Sequence, residues 1–120
     1  MKDFRPAPIK PLITLNEFNK VDIRVGTINR VIDIPRSTYL VKLLVDLGDH
    51  TRSIVAGIKP ERKDPKEVEG LQALFIVNLE PKTIMGETSE GMLFDIGYSD
   101  EITPVLAVPE RRVPNGTRAE

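Results

Sequence analysis

The chain has 120 residues, of which 17 are lysine or arginine and 18 are aspartate or glutamate, so its net charge at pH 7 is −1. This length is typical of one domain, and the slight acidic excess counts against broad nucleic-acid binding, which usually needs a basic surplus. The lack of cysteine excludes disulfides and thiolate metal sites, and the lack of an apolar run of about 18 residues predicts no membrane span and a cytosolic protein.

The N-terminal segment, residues 1–13, is predicted to be an extended arm. It carries three prolines, Pro6, Pro8 and Pro11, and it lacks the apolar core of a signal peptide. Such an arm is either unstructured or bound to another surface. After it, Thr14 and Glu17 have the spacing of a capping box, so one helical turn through Phe18 is expected.

Three strands are predicted in the first half of the chain, at residues 21–34, 39–48 and 51–58. In the first of them, VDIRVGTINRVIDI, apolar and polar residues alternate, which is typical of a strand with one buried face. Gly26 lies inside this strand and predicts a bulge or a sharp bend there. The turn IPRS separates the first strand from the second, and a Gly-Asp turn ends the second.

The second half begins with a short helix over residues 64–69. Asp64 is a suitable N-cap, Pro65 fits the first helical position, and Gly70 follows the end. Three further strands are predicted after this helix, at residues 71–79, 89–97 and 102–108. The polar stretch NLEPKTIMGETSEGM, which begins as the fourth strand ends, is predicted to be a loop.

Together these elements predict an all-β fold, a five-stranded OB-fold barrel with one short helix between its third and fourth strands. A long first strand that bends at a glycine is what a small barrel needs in order to turn a corner. Residues 14–120 would form this barrel together with a C-terminal extension that makes a dimer. Other five-stranded Greek-key folds are compatible with the same pattern.

The sequence contains few residues that could form a catalytic site. His50 is its only histidine, and because there is no cysteine it has no partner for a metal site or a nucleophile–base pair. Glu87 and Glu90 are close in sequence, but two nearby loop acids are usually solvated residues rather than an acid–base pair. A glycine-rich phosphate-binding loop is also missing. We therefore expect no enzymatic activity, no metal and no cofactor.

Basic residues on the predicted strands favour a nucleic-acid site over an enzyme. Arg24, Lys42 and Arg52 fall on the first three strands, where they are predicted to share the outer face, and Lys82 lies in the polar loop. These residues form either a small cationic groove or ordinary solvated positions. Only two tyrosines are candidates for exposed stacking, which suits recognition of a folded RNA by shape and phosphates better than single-strand binding.

Four short motifs carry a resemblance to a known family: VDIRVGTI, VDLGD, VAGI, and NLEPK followed in register by SEGM. With them the chain resembles the tRNA-binding domain family over about residues 17–118. Members of that family are OB-fold domains that occur as free-standing tRNA-binding proteins, as the C-terminal domain or β subunit of methionyl-tRNA synthetases, and in endothelial monocyte-activating polypeptide. The export-related chaperone CsaA is a close relative.

The resemblance implies which residues line an RNA-binding face beside the polar loop. By motif these are Asn78, Lys82, Ser89 and Met92. Lys82 can meet a phosphate, Ser89 can donate to a phosphate or a ribose, and Met92 offers a soft apolar surface. Structural roles are the alternative, because Asn78 and Ser89 can instead satisfy turn backbone and Met92 can belong to the core.

The same resemblance implies the partners, which are tRNA, an aminoacyl-tRNA synthetase and a second copy of the chain in a homodimer. The chain departs from the family pattern because Thr83 and Met85 occupy positions where basic residues are common, and Glu87 lies close by. A weakly charged, apolar groove suits a CsaA-like chaperone for unfolded or exported polypeptides, which is the alternative function. A dimer would also cover four apolar residues of the C-terminal extension, Ile102, Val105, Leu106 and Val108.

Overall fold

The computed structural model describes residues 4–120, and in them the chain has the all-β, OB-like fold that the sequence predicts. Five strands form one curled antiparallel sheet, in the order β3-β2-β1-β4-β7, while β5 pairs with β6 and β8 pairs with β9. The strands of residues 4–120 are β1 (Ile23–Asp33), β2 (Val41–Asp46), β3 (Thr51–Ala56), β4 (Gln72–Ile76), β5 (Lys82–Ile84), β6 (Glu87–Ser89), β7 (Met92–Leu93), β8 (Asp95–Ile96) and β9 (Val105–Leu106).

The arm that precedes the barrel is exposed throughout residues 4–13 and forms no helix or strand. Residues 1–3 of the predicted arm lie outside the described residues. The predicted capping box is confirmed, because the Thr14 hydroxyl accepts a hydrogen bond from the Glu17 backbone amide at 3.1 Å and the Glu17 side chain bonds back to the N-cap. The short helix α1 follows over Leu15–Phe18.

Strand β1 contains the expected bulge, but the bulge lies between Ile28 and Arg30, where the pairing with β2 changes register, and not at Gly26. Gly26 allows a close approach instead. A Cβ atom added to it would lie 2.6 Å from the Val45 Cγ1 atom and 2.9 Å from the Leu47 side chain. Because real Cβ contacts are longer than this, the position needs a glycine for β1 and β2 to approach as they do.

The core fills the inside of the curled sheet. Its fully buried side chains include Ile28, Leu43, Val45, Ile54, Val68 and Phe75. The barrel closes at β3 through residues that follow β6. The Glu90 amide donates to the Ser53 carbonyl at 2.8 Å, and the Ser53 amide donates to the Glu90 Oε1 atom at 3.0 Å. A side chain therefore supplies one of the bonds that a longer strand would make with its backbone.

Two short 3-10 helices connect β3 to β4, over Lys59–Glu61 and Pro65–Val68. The second confirms the predicted helix, and its N-cap Asp64 accepts a hydrogen bond from the Lys66 amide at 3.0 Å. Val68 buries its side chain completely in the core, which fixes this helix against the sheet. None of the helices within residues 4–120 is long and apolar enough to cross a membrane.

Residues 82–106 differ most from the prediction. The polar loop contains a hairpin, β5 and β6, that the pattern did not predict, and the strand predicted at residues 89–97 is divided between β7 and β8. The edge of β4 explains the division. Phe94 donates to the Leu74 carbonyl at 3.0 Å, but the Leu74 amide donates to Ala107 at 3.0 Å, so the extension takes the place of a longer fifth strand. The strand predicted at residues 102–108 is reduced to β9.

The end of the C-terminal extension lies along β1. The Val25 amide donates to the Thr117 carbonyl at 2.9 Å, and the Val25 carbonyl accepts from the Gly116 amide at 2.7 Å. The Asn115 side chain accepts hydrogen bonds from the Thr27 hydroxyl at 2.8 Å and from the amide of Gln72 at 2.9 Å. These bonds satisfy polar groups that the sheet buries, so this part of the extension belongs to the barrel.

Candidate nucleic-acid interface

The arginines predicted for the interface, Arg24 and Arg52, lie on the core-facing side of the sheet at one end of the barrel. Arg24 is the cross-strand partner of the core residue Phe75, and Arg52 is the partner of Val45. Cross-strand partners lie on the same face. Lys42 lies between two buried residues of β2 and therefore points to the opposite face. The prediction that the three cations share the outer face is wrong.

Arg24 is held by internal contacts. Its Nε atom donates to the Asp22 Oδ1 atom at 2.7 Å, one terminal nitrogen donates to Asp22 Oδ2 at 3.1 Å, and the other donates to the Gly116 carbonyl at 3.1 Å. The hydrogen bonds from Arg24, helped by those from Arg118, hold the pKa of the Asp22 carboxyl below its usual range. This bidentate pair leaves the guanidinium of Arg24 few donors for a phosphate.

Arg52 fastens two chain segments at the same end of the barrel. Its Nε atom donates to the His50 Nε2 atom at 2.9 Å. One terminal nitrogen donates to the carbonyl oxygens of Val77 and of Glu90, the latter at 3.0 Å. These carbonyls follow β4 and β6, so Arg52 joins both segments to β3. The guanidinium of Arg52 is partly buried, and its hydrogen bonds stabilise the fold.

Asn78 also has a structural role here. Its Oδ1 atom accepts a hydrogen bond from the Asp22 amide at 2.8 Å, and its Nδ2 atom donates to the Lys20 carbonyl at 2.6 Å. The side chain thereby joins the segment before β1 to the end of β4. Asn78, Arg24 and Arg52 together line a small polar pocket of about 300 Å³. The structure therefore places these three predicted residues around one pocket. Most of their polar side-chain atoms, however, are already hydrogen-bonded to other residues of the protein.

Lys42 contacts the hairpin on the other face of β2. Its Nζ atom donates to the Glu87 Oε1 atom at 2.9 Å, and this hydrogen bond lowers the pKa of the Glu87 carboxyl. The hairpin turn consists of Met85, with φ 53°, and Gly86, with φ 80°, which is the pattern of a type I′ turn. Arg36 donates to the Met85 carbonyl and so fixes the tip.

Arg36 was not among the predicted residues. It lies in the turn before β2, and a single arginine in a turn gives no signal that it will meet a hairpin almost fifty positions later. The exposed guanidinium of Arg36 adds a cation beside the hairpin tip.

Lys82 and Ser89 are cross-strand partners in the hairpin, but their side chains differ in solvent exposure. Lys82 is exposed and makes no ion pair with any residue that the structure describes. Ser89 is only 5% exposed. Its hydroxyl accepts from the Val55 amide at 3.0 Å and donates to the Gly91 carbonyl at 3.1 Å. The hydroxyl of Ser89 therefore closes the barrel against β3.

Met92 is not a core residue, because 45% of its surface is exposed. It lines a groove of about 880 Å³ near the C-terminal end of β3, where Tyr39 and Tyr98 also lie. Of the predicted residues, Lys82 and Ser89 therefore belong to the hairpin, Lys42 contacts it through Glu87, and Met92 lines this groove.

The exposed ammonium group of Lys82 is suited to a phosphate, because a flexible point charge can meet a backbone oxygen without a fixed geometry. Within residues 4–120, no three histidine, cysteine, aspartate or glutamate side chains are grouped as a metal site would require. The arrangement can therefore bind a polyanion through a few cations on and beside the hairpin.

Comparison with known proteins agrees with the geometry of the fold. A sequence profile described as "Putative tRNA binding domain" matches residues 23–118. Methionine–tRNA ligase from Archaeoglobus fulgidus is 38% identical over 91% of this chain, which spans 16% of that protein. The crystal structure of a MetRS related protein from Pyrococcus horikoshii is 36% identical, with a TM-score of 0.84 over 92% of this chain and 100% of that one. Chaperone CsaA from Bacillus anthracis is 27% identical, with a TM-score of 0.80 over 92% and 100% of the two chains.

Proposed function

This chain belongs to the tRNA-binding domain family, and on that premise we propose that it is a non-catalytic, structure-specific tRNA-binding protein. The observation that carries the proposal is the family match over residues 23–118, which includes every candidate residue of the interface. A tRNA ligand implies a place in the cytoplasm. The seven residues proposed to contribute, directly or by supporting the contact surface, are Arg24, Lys42, Arg52, Asn78, Lys82, Ser89 and Met92.

The protein would act alone or as the β subunit of a methionyl-tRNA synthetase. The chain spans 16% of the Archaeoglobus fulgidus ligase that it resembles, so the similarity concerns one region of a much longer enzyme. A separate chain of this type would supply tRNA affinity to a synthetase that lacks the region. Co-purification with a synthetase, followed by a lower KM for tRNA in its presence, would support this partnership.

Electrostatics limits how the RNA can be bound. The net charge is −1, and Arg24, Lys42 and Arg52 are engaged in bonds within the protein. Lys82 remains as the predicted cation most available to a phosphate. Each phosphate contact contributes about −0.7 to −0.9 to the salt slope, so tRNA binding should be weak and only moderately salt-dependent. Such contacts read shape and backbone position and carry no base sequence information.

A homodimer is part of the proposal. The arm and the extension expose large apolar side chains, namely Ile9, Leu12, Ile102, Val105 and Val108. Monomers rarely leave such a set in solvent, and a second copy would cover it. Leu106 was grouped with these residues in the sequence, but it packs partly against the core of its own chain. Light scattering at micromolar concentration should give the mass of two chains, and the mass of one chain would exclude the dimer.

The test of tRNA binding uses Lys82→Ala. A gel shift with total tRNA should show severalfold weaker binding for all tRNAs alike, and the salt slope should decrease by about one. Lys63→Ala is the matched control, since Lys63 is another exposed lysine but belongs to the connection between the two 3-10 helices and not to the hairpin. If the folded wild type fails to bind tRNA, the function is wrong. If Lys82→Ala binds as the wild type does, the hairpin is not the contact surface.

The second candidate function is that of a CsaA-like chaperone for unfolded or exported polypeptides. Two observations favour it: the similarity to the Bacillus anthracis chaperone CsaA and the large groove that Met92 lines. A polypeptide-holding assay, in which the protein suppresses aggregation of a chemically unfolded client, tests this function directly. Suppression without any tRNA shift would favour the chaperone over the RNA-binding protein.

A further inference from the structure

Residues 95–106 form a flap that backbone hydrogen bonds join to the described barrel only at its base. The Phe94 amide donates to the Leu74 carbonyl at 3.0 Å on one side, and the Leu74 amide donates to the Ala107 carbonyl at 3.0 Å on the other. Within the flap, β8 and β9 pair with each other and with no other strand of residues 4–120. None of the flap residues is buried, whereas Leu93 and Ala107 beside it are. Such a short ladder with few buried contacts is typical of a segment that opens locally.

The first residue of the flap, Asp95, meets a buried carboxyl group of the first 3-10 helix. The side chain of Glu61, at the end of that helix, is only 4% exposed and makes a side-chain hydrogen bond with Asp95. The Glu61 Oε1 and Asp95 Oδ1 atoms are both buried, and no other group of residues 4–120 donates a hydrogen bond to either of them. Two ionised carboxyl groups have acceptors and no donor, so this contact is a hydrogen bond only when one of the two carries a proton.

The charges around the pair also favour a single proton. The terminal nitrogen of Arg62 is 3.7 Å from Glu61 Oε1, too far for a hydrogen bond but close enough for attraction. Glu67, on the second 3-10 helix, is exposed and contacts Arg62 at 3.4 Å. One guanidinium balances one buried carboxylate, so a second ionised carboxyl would leave a buried charge uncompensated. Burial, followed by the Asp95 carboxyl, raises the pKa of Glu61 to about 7, and Arg62 opposes the rise.

We propose that Glu61 and Asp95 share one proton and that this pair is a pH-sensitive latch, which holds the flap against the first 3-10 helix. With the proton present, the pair makes a charge-assisted O–H···O hydrogen bond. Once the proton is lost, two buried carboxylates repel each other, and opening of the flap returns both groups to water. Because most of the flap is exposed, this one contact decides how often it opens.

Opening of the latch changes the surfaces that the flap carries. Tyr98 lines the groove beside Met92, so the wall of that groove is complete only when the flap is closed. Ile102 and Val105 of the proposed dimer contact also lie in the flap, and in this respect the inference rests on the proposed function. The latch does not include the hairpin of β5 and β6, so it is independent of a tRNA contact at Lys82.

The direction of the switch follows from the raised pKa. In the open flap Glu61 regains its ordinary pKa of 4.5, whereas in the closed flap its pKa is about 7. The closed state therefore binds a proton that the open state releases between these two values, and the open fraction rises with pH. Each pH unit in this interval increases the opening equilibrium about tenfold, and the increase levels off above pH 7. The latch is thus closed in mildly acidic solution and weakest from neutral pH upward.

Hydrogen–deuterium exchange of the full chain between pH 5 and pH 8 tests the latch. Protection factors, which divide out the pH dependence of chemical exchange, should fall about a hundredfold from pH 5 to pH 7 in β8 and β9 and change little above pH 7. At each pH, β1 and β2 should remain at least about tenfold better protected, because the flap opens while the barrel stays folded. Equal protection of the flap and these strands would mean that the pair separates only on global unfolding, which overturns the proposal.

A substitution that mimics the protonated state gives the sharpest comparison. Glu61→Gln supplies an N–H donor to Asp95 at every pH, so the flap should keep the protection that the wild type has at pH 5. Glu110→Gln is the matched control, because it changes an exposed carboxyl of the same extension outside the flap. This control should retain the pH dependence of the wild type. A flap that responds to pH in Glu61→Gln as it does in the wild type refutes the role of the pair.

Carbon NMR of the side-chain carboxyl groups in the wild type keeps the test decisive if Glu61→Gln does not fold. The Glu61 carboxyl carbon should titrate with a midpoint near pH 7, and the Asp95 carboxyl carbon should respond in the same step, since the proton belongs to the pair. A Glu61 midpoint near 4.5, or flap protection that does not change with pH, overturns the proposal. These measurements use the free protein, so a failure of tRNA binding leaves them unaffected and the two inferences fail separately.

Discussion

Replacing Ser89 by alanine should open the barrel where β3 meets the segment after β6. The hydroxyl of Ser89 accepts from the Val55 amide at 3.0 Å and donates to the Gly91 carbonyl at 3.1 Å, at a position where only 5% of the residue is exposed. Alanine leaves both backbone groups without this partner. A buried group that loses its partner costs about 1–3 kcal/mol, so we expect a loss of about 2 kcal/mol in the free energy of unfolding.

This loss is large enough to measure by thermal unfolding. For domains around 120 residues in length, a loss of 1 kcal/mol in stability lowers the Tm by about 2–8 °C. The Tm of Ser89→Ala should therefore fall by roughly 5–10 °C. Thr88→Ala is the matched control, because Thr88 is the exposed neighbour on the same strand of the hairpin. Substitutions of such surface residues stay within about 0.5 kcal/mol.

The affinity for tRNA distinguishes this reasoning from a direct contact. Measured well below the Tm, the affinity of Ser89→Ala should stay within about twofold of the wild type, a difference of about 0.4 kcal/mol, because the hydroxyl is used inside the protein. An unchanged Tm together with a tenfold or greater loss of tRNA affinity would refute the argument. That result would mean that Ser89 donates to the RNA, as the family resemblance implies.

Three further changes test other parts of the structure. Gly26→Ala should destabilise the fold by about 1–3 kcal/mol in urea unfolding, because its Cβ would lie 2.6 Å from Val45 Cγ1, and an unchanged midpoint would contradict this close approach. Asn78→Ala should cost about 0.5–1.5 kcal/mol while tRNA affinity stays constant, and a selective loss of affinity would instead assign the amide to the RNA. For Glu61, whose pKa is raised from 4.5 to about 7, the folded chain holds a proton that the unfolded chain releases, so stability should fall as pH rises from 5 to 8. Glu61→Gln should flatten that fall in urea midpoints, and parallel curves for the two proteins would show that another group causes it.

Local signals in the sequence were enough for the elements that depend on neighbouring residues. The Thr14 capping box and the Asp64 N-cap were predicted correctly, because each bond joins residues two or three positions apart. Alternation predicted the long first strand, and the helix between the third and fourth strands completed the OB-like pattern. The loop motif also predicted the family, and the match over residues 23–118 confirms it.

The faces and contacts of the candidate residues were decided only by the tertiary structure. The pairing of β1 with β2 shifts register at the bulge between Ile28 and Arg30. For this reason alternation alone does not predict which residues of the other strands lie on the same face of the sheet as Arg24. Glu61, at the end of the first 3-10 helix, and Asp95, in β8, line the same groove although they are more than thirty positions apart in the sequence. No local pattern marks such a pair. A sequence encodes local propensities over a few residues, whereas register, burial and long-range pairing depend on how distant segments pack. Register, burial and pairing in turn decide whether a side chain is exposed to a ligand or hydrogen-bonded within the protein.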